Sequence, residues 1–175
     1  MHYLFETGHL RVRPFKAEDA ERLYANHCEE AVKKWIPNES YADIAETEGA
    51  IRFYRDCVER KKLPYVLAVE SRESGLLIGD TGINEVDGHP GEVEIGYTVC
   101  QACSGRGYAT ELVKGMADFC EKVLHVHRLY GRVMRGNDAS VRVLEKNGFS
   151  FVRMETGAED DPEGRGMLVY RKELR

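Results

Sequence analysis

Long apolar stretches are absent from this sequence. The longest segment without a charged residue extends only from Ile95 to Gly105, whereas a membrane-spanning helix needs about 20 apolar residues. The first residues also lack the basic region and apolar segment that characterise a secretory signal. We therefore expect a protein that spans no membrane and resides in the cytoplasm.

Positive charge is not in excess either. The chain of 175 residues contains 25 lysines and arginines against 30 aspartates and glutamates, for a formal net charge of −5. Proteins that bind nucleic acids neutralise phosphates with clustered cations. The sequence therefore predicts no direct nucleic-acid partner and favours cationic ligands.

Cysteine is scarce and irregularly spaced. An odd number, 5, in a chain long enough to form its own core predicts free thiols rather than disulfides. Cys100 and Cys103 form a Cys-x-x-Cys pair, but no second such pair is present to complete a zinc site. We expect no metal, whereas a redox role for this pair stays open.

The remaining composition is typical of one globular unit. Hydrophobic residues make up 42% of the chain, and no linker or repeat divides it, so we expect a single domain over residues 1–175. Hydrophobic periodicity predicts strands at 10–15, 65–70, 76–86, 93–99, 128–134, 149–154 and 167–172, and helices at 17–30, 43–61, 108–124 and 138–147. The first strand reads as a sheet edge, and residues 35–41 read as a loop. The order β-α-α-β-β-β-α-β-α-β-β predicts an α+β fold, a mixed sheet flanked by helices on both faces.

One glycine-rich segment carries the clearest chemistry. Residues 104–110 read Ser-Gly-Arg-Gly-Tyr-Ala-Thr and lie between a predicted strand and an amphipathic helix. Glycines let the backbone approach an anion, the helix dipole favours negative charge at its N-terminus, and Arg106 adds a cation. Thr110 stands where the dinucleotide fingerprint requires glycine, and the lysine of Walker A is missing. The segment predicts an anion site outside these two motifs, although an ordinary strand-to-helix turn has the same spacing.

Four motifs together carry a family resemblance. They are Leu-Arg-Val-Arg-Pro-Phe at 10–15, Glu-Ile-Gly-Tyr at 94–97, Gly-Arg-Gly-Tyr-Ala-Thr-Glu at 105–111 and Asn-x-x-Ser-x-x-Val-Leu-Glu-Lys-x-Gly-Phe at 137–149. The combination resembles the GNAT superfamily of acetyl-CoA-dependent N-acetyltransferases. Within it, the sequence is similar to the RimJ/RimL branch, which acetylates the amino termini of ribosomal proteins.

The resemblance implies a GNAT fold, with a mostly antiparallel mixed sheet, and acetyl-CoA as co-substrate. The strand ending at Val99 would separate from the strand at 128–134 to admit the pantetheine arm. A bulge in the strand ending at Val99 would free backbone groups near the thioester. The amides from 105 to 110 would hold the pyrophosphate. The implied cofactor-binding residues are Val99, Gly105, Arg106, Gly107, Tyr108, Ala109, Thr110, Asn137 and Ser140.

For catalysis, Glu94 is the candidate base, acting through an ordered water, with a cross-strand ion pair as the alternative role. Many GNAT enzymes carry an acidic tyrosine where this chain has Leu144, so the resemblance implies Ser140 as the acid, with Asn137 beside it. A second departure is Ala102, which stands where the family pattern has glutamine or arginine.

The acceptor is implied less directly. Trp35, Tyr41 and Asn84 are the candidate acceptor-binding residues, and an acidic run at 155–163 has an open role. The resemblance implies transfer to a primary amine, the α-amino group of a protein such as a ribosomal protein. A small amine (polyamine, amino acid or drug) and a CoA-binding module without transferase activity are the alternatives, and relatives suggest a possible homodimer.

Overall fold

An eight-stranded sheet forms the centre of the protein in a computed structural model that describes residues 2–175. The strands are β1 (Phe5–Glu6), β2 (Leu10–Arg13), β3 (Tyr65–Ser71), β4 (Leu77–Glu85), β5 (Glu92–Val99), β6 (Arg128–Met134), β7 (Ser150–Glu155) and β8 (Met167–Glu173). Their spatial order is β1-β2-β3-β4-β5-β6-β8-β7. Every neighbouring pair is antiparallel except β5 and β6, which run parallel.

Within residues 2–175, five α-helices cover the two faces of this sheet. They are α1 (Ala20–His27), α2 (Glu30–Trp35), α3 (Ile44–Glu59), α4 (Tyr108–Lys122) and α5 (Asp138–Lys146), and short 3-10 turns occupy residues 17–19, 37–39 and 101–103. In the described part of the chain, no helix has the length and apolar character needed to cross a membrane.

Alternating side chains of the strands pack into two separate hydrophobic cores. On β3, Leu67 and Val69 point into a large core beneath α4 and α5, whereas Ala68 joins a smaller core beneath α1 and α3. Successive residues of a strand face opposite sides of the sheet. Because helices cover both sides here, β3 is buried along nearly its whole length.

The large core fixes the two helices that matter most for the site. Helix α4 contributes Leu112, Val113 and Met116, all with no exposed surface. Helix α5 contributes Leu144, which is 1% exposed and packs on the backbone of Gly131. A side chain at Gly131 would place its Cβ 2.9 Å from Cδ1 of Leu144, so the close approach of α5 to β6 depends on this glycine.

Buried ion pairs help to stabilise the face of the sheet that α1 and α3 cover. Arg13 of β2, with a side chain 4% exposed, donates to Asp19 at 2.7 Å and to Glu70 of β3 at 2.9 Å. Such a buried group tolerates no loss of a single partner, because the remaining charge would be left uncompensated. These ion pairs tie the turn at 17–19 to the sheet.

The predicted α+β order with helices on both faces is confirmed. Two local expectations are wrong. The sequence predicts one helix up to residue 30, with a loop from residue 35, whereas residues 30–35 form a separate helix. The two helices are separated because Glu29 adopts an extended backbone (φ −63°, ψ 138°). The first predicted strand is not a sheet edge, because the two residues of β1 pair with it.

Candidate active site

The central strands β5 and β6 separate partway along their length. They pair from Glu92 and Arg128 as far as Ile95 and Gly131. Beyond that point β5 stays paired with β4 up to Val99, and β6 stays paired with β8 up to Met134. A groove therefore opens between them, and the backbone groups of β5 that face it have no strand partner.

The expected bulge in β5 is wrong. The pairing of β4 with β5 runs in unbroken register from Gly79 and Val99 to Glu85 and Val93. The divergence of β5 from β6 exposes the strand edge by itself, so no extra residue is needed to free backbone groups.

The segment after β5 forms a cradle of backbone amides. Gly105 (φ +76°) and Gly107 (φ +79°) both adopt left-handed conformations, and a Cβ at either position would meet no atom within 4 Å. None of the amides of residues 105–110 donates to another group among residues 2–175. They lie at the N-terminus of α4 without a partner in the described residues, and such free amides at a helix N-terminus bind phosphate groups. Arg106 is exposed beside them.

Helix α5 begins beside the groove with a side-chain cap. The Oδ1 atom of Asn137 accepts the amide of Ser140 at 3.4 Å. This cap orients the first turn of the helix, and the hydroxyl of Ser140 lies 2.8 Å from the hydroxyl of Tyr97 on β5. The sequence reasoning missed Tyr97 as a site residue, although it belongs to the Glu-Ile-Gly-Tyr motif.

Glu94 stands at the end of the β5–β6 pairing, on the face opposite α4. Its Cα pairs with that of Asn84 on β4 and that of Tyr130 on β6. The half-buried carboxylate receives no hydrogen bond from any described residue, so a cross-strand ion pair does not occupy it. Burial raises the pKa of Glu94, Arg132 opposes that shift, and nearby carboxylates add to it.

A cavity of about 390 Å³ adjoins Glu94 on this face. Its lining includes Arg132 of β6, Glu155 of β7 and the exposed His89 of the β4–β5 turn. Arg132 is engaged by Asp160 at 2.5 Å and by Glu155 at 3.0 Å. The arginine charge is therefore compensated, and Glu94 is left as the uncompensated charge of the wall.

The expected acceptor residues surround the same side of the groove but do not form one cluster. The ring of Trp35 lies against Gly136, one residue before the α5 cap, with its nearest atom 3.7 Å from where a Cβ would stand. The exposed Asn84 is cross-strand from Glu94. Tyr41 bonds to the hydroxyl of Tyr54 at 3.0 Å, farther towards α3.

A buried ion pair beside Tyr41 is also absent from the sequence expectations. His27 of α1 is 2% exposed, and its Nε2 lies 2.6 Å from Oδ2 of Asp80 on β4, which also accepts the hydroxyl of Thr98 at 2.9 Å. The Nδ1 of His27 faces the carbonyl of Glu39 at 2.6 Å. Both ring nitrogens face acceptors, so both must donate. Burial opposes ionisation, but the bond to Asp80 prevails and the pKa of His27 is raised.

The residues that follow α2 are joined to the acidic run. Asn38 donates to the carbonyl of Glu159 at 2.9 Å, and Asp160 of the same run holds Arg132. The loop between β7 and β8 therefore contacts both the segment after α2 and strand β6. No spacing in the sequence pointed to this contact, because 121 residues separate its two partners.

The cysteines form no ligand cluster in the described residues. All five thiols are free, and no group of three or more His, Cys, Asp or Glu side chains in residues 2–175 is placed to hold a metal ion. Cys100 is buried, and burial raises the pKa of its thiol, which weakens it as a nucleophile.

Comparisons with known proteins agree with this geometry. The acetyltransferase (GNAT) domain family matches residues 9–150 of the chain. The uncharacterised N-acetyltransferase p20 of Bacillus licheniformis is 27% identical over 164 residues, which cover 93% of this chain and 89% of the relative.

Two solved structures share the fold. The ribosomal-protein-S5-alanine acetyltransferase of Vibrio fischeri has a TM-score of 0.84 at 19% identity, covering 97% of this chain and 95% of that one. RimJ of Mycobacterium smegmatis, in complex with CoA-disulfide, has a TM-score of 0.83 at 21% identity, covering 99% and 90%. The family match spans most of the chain, and the protein therefore belongs to the GNAT family of acetyl-CoA-dependent N-acetyltransferases, with RimJ and related ribosomal-protein acetyltransferases among its structural neighbours.

Proposed function

We propose that the acceptor of this N-acetyltransferase is the N-terminal α-amino group of a protein, such as a ribosomal protein. The observation that carries the proposal is the carboxylate of Glu94, which is half-buried, without a hydrogen-bond partner among the described residues, and placed where the groove begins. An amine attacks a thioester only after it has lost its proton. A carboxylate whose pKa is raised by burial is suited to take that proton near neutral pH.

Backbone groups bind the acetyl-CoA in this proposal. The free amides of residues 105–110 and the N-terminal end of α4 bind the pyrophosphate. The unpaired edge of β5 from Gly96 to Val99 hydrogen-bonds the amides of the pantetheine arm. This division leaves the side chains around Glu94 and Ser140 free for chemistry.

The reaction then needs a base for the acceptor ammonium and a hydrogen-bond donor for the leaving sulfur. Glu94 removes a proton from the acceptor ammonium through a water molecule, and the freed nitrogen pair attacks the thioester carbon. The carbon–sulfur bond breaks with its electron pair remaining on sulfur. Ser140 donates a hydrogen bond to the departing thiolate, which takes up a proton from solvent, and the attacking nitrogen gives its second proton to water. The acetyl group thus passes directly to nitrogen without an acyl-enzyme.

The shape of the acceptor side favours a chain end over a small free amine. The cavity beside Glu94 extends to the exposed His89, and the space over Gly96 contains no atom within 4 Å of a Cβ position. An extended N-terminus can enter there and leave the rest of its chain outside. The uncompensated charge of Glu94 attracts the terminal ammonium.

The test is release of free CoA thiol from acetyl-CoA in the presence of matched acceptors. Each peptide is supplied with a free α-amine and with a blocked α-amine but an unchanged lysine side chain, beside a panel of polyamines and amino acids. We expect release only with free α-amines, and mass spectrometry should place the acetyl group on the N-terminus.

Three results would overturn the proposed function. Equal release from free and blocked peptides would identify lysine side chains as the acceptor. Faster release with polyamines or amino acids than with any peptide would favour the small-amine alternative. Tight acetyl-CoA binding without release from any amine would favour the binding module.

A further inference from the structure

The helix that supplies an acidic tyrosine in many GNAT enzymes carries no such group here. Leu144 occupies that position, is 1% exposed and fills the space beneath Gly131. A leucine can donate no hydrogen bond to a leaving thiolate. Any phenol that assists departure of the thiolate must therefore come from another element of the fold.

Tyr97 brings a phenol from the sheet to the first turn of α5. It lies on β5 two residues beyond Ile95, the last residue paired with β6. Its hydroxyl crosses to α5, where it lies 2.8 Å from Oγ of Ser140 and 3.4 Å from the carbonyl oxygen of Ser140. The contact joins the two elements that border the start of the groove.

The direction of this hydrogen bond follows from acidity. A phenol is a far stronger acid than an alkanol, and the more acidic hydroxyl is the better donor. Burial raises the pKa of Tyr97 to about 12, with the bond to Ser140 opposing the shift, so Tyr97 remains protonated at neutral pH. Tyr97 therefore donates to the nearer oxygen, Oγ of Ser140, and the hydrogen of Ser140 is left to point elsewhere.

We propose that Tyr97 is a positioning residue that orients the hydroxyl of Ser140 towards the sulfur of CoA. The inference rests on the proposed role of Ser140 and gives Tyr97 a part in the same step. As the carbon–sulfur bond breaks, its electron pair stays on sulfur and Ser140 donates a hydrogen bond to the thiolate. Tyr97 keeps its own proton throughout, and the released thiolate takes up its proton from solvent.

A double-mutant comparison tests the coupling. Tyr97→Phe removes only the hydroxyl, and at saturating acetyl-CoA we expect kcat to fall roughly tenfold, the effect of one oriented hydrogen bond. Ser140→Ala should cost more, and the double variant should be no slower than Ser140→Ala alone. Tyr65→Phe on β3 is the matched control, because Tyr65 is also a buried tyrosine of the large core.

A second readout needs no turnover. The ultraviolet absorbance of the thiolate reports the pKa of the CoA thiol in the complex with the protein. A hydrogen bond from Ser140 stabilises the thiolate and lowers that pKa relative to free CoA. We expect a smaller lowering in Tyr97→Phe and an unchanged value in Tyr65→Phe, and desulfo-CoA should bind both variants equally well.

The inference is overturned if Tyr97→Phe and Ser140→Ala multiply their effects on kcat. It is also overturned if the thiol of bound CoA titrates identically in the unmodified protein and in Tyr97→Phe. A complete absence of turnover in the unmodified protein contradicts the proposed function instead, and the thiol titration then decides the role of Tyr97 by itself.

Discussion

The two faces of the sheet are built from different chemistry. The face beneath α4 and α5 is a large apolar core, and the groove on that side presents backbone amides and two hydroxyls. The opposite face has a small apolar core and several buried ionised groups, including Arg13, His27 and Asp80. A backbone cradle suits a ligand that is the same in every turnover, whereas ionised side chains suit the recognition and deprotonation of a particular amine.

This difference implies different responses to substitution. Changes on the face of α1 and α3 should affect proton transfer and stability and leave acetyl-CoA affinity intact. Changes in the segment that begins α4 should lower acetyl-CoA affinity and leave proton transfer intact.

The largest effect is expected at Glu94. Glu94→Gln keeps the shape of the side chain but cannot accept a proton, so kcat should fall by roughly 10²–10⁴-fold, the contribution of a positioned base. Calorimetry should show unchanged acetyl-CoA affinity. Because Glu94 must be ionised to act, kcat/KM should rise with pH through its raised pKa, and this limb should vanish in the variant.

Glu85→Gln serves as the matched control, because Glu85 is an exposed glutamate at the end of β4. Its kcat should equal that of the unmodified protein. Unchanged turnover in Glu94→Gln would remove Glu94 from the mechanism. A loss of acetyl-CoA affinity in that variant would contradict the separation of the two faces.

The next largest effect concerns the buried pair of His27 and Asp80. Asp80→Asn removes the countercharge of a histidine that is 2% exposed, and the free energy of unfolding should fall by about 3 kcal/mol in a urea titration. Asp56→Asn is the matched control, since its pair with Arg60 is exposed on both sides. It should cost less than about 0.5 kcal/mol.

The same pair makes stability depend on pH. The folded-state pKa of His27 is raised, so its contribution is fully present below the ordinary histidine pKa of about 6.5 and is lost as pH rises through the folded value. Urea titrations across that range should show a decline for the unmodified protein. The decline should be smaller in Asp80→Asn, and equal slopes would show that the two residues do not form an ion pair.

A smaller effect is expected in the cradle. Gly107→Ala forces a side chain into a left-handed conformation (φ +79°) and tilts the amides of the first turn of α4, so acetyl-CoA affinity should fall about tenfold. Gly75→Ala is the matched control, because Gly75 has φ +70° and equally open surroundings in the turn between β3 and β4. Both should lose similar stability, and only Gly107→Ala should weaken binding.

The smallest effect is expected at Arg106, whose side chain is exposed. Arg106→Ala should weaken acetyl-CoA binding only about threefold at low salt, because an exposed charge is well screened. The difference should disappear at high ionic strength. A large loss that persists in high salt would show that a side chain, and not the backbone, binds the pyrophosphate.

The sequence predicted one face of the site better than the other for a physical reason. The cradle at 105–110 and the cap at Asn137 depend on local backbone conformation, and local conformation leaves glycines and capping residues at fixed spacings. The element order was readable because strands and helices have distinct hydrophobic periods. The separate helix α2 and the short strand β1 were missed because six and two residues are too few to show a period.

The contacts between ionised and polar groups on the opposite face could not be predicted from the sequence in this way. His27 and Asp80 lie 53 positions apart, and Asn38 meets the β7–β8 loop across 121. Neither contact leaves a pattern within one element. Tyr97 had a signal, since it belongs to a recognised motif, but its partner was visible only once α5 had been placed over the groove.

The contact of Gly131 with Leu144 limits the substitutions that this enzyme can accept. A side chain at Gly131 would collide with the buried leucine, and a tyrosine at position 144 would need volume that the packed core does not have. Either substitution would therefore require α5 to move away from β6. The packing of α5 on β6 thus keeps an acidic side chain away from position 144, and a phenol there would require this helix to be repacked.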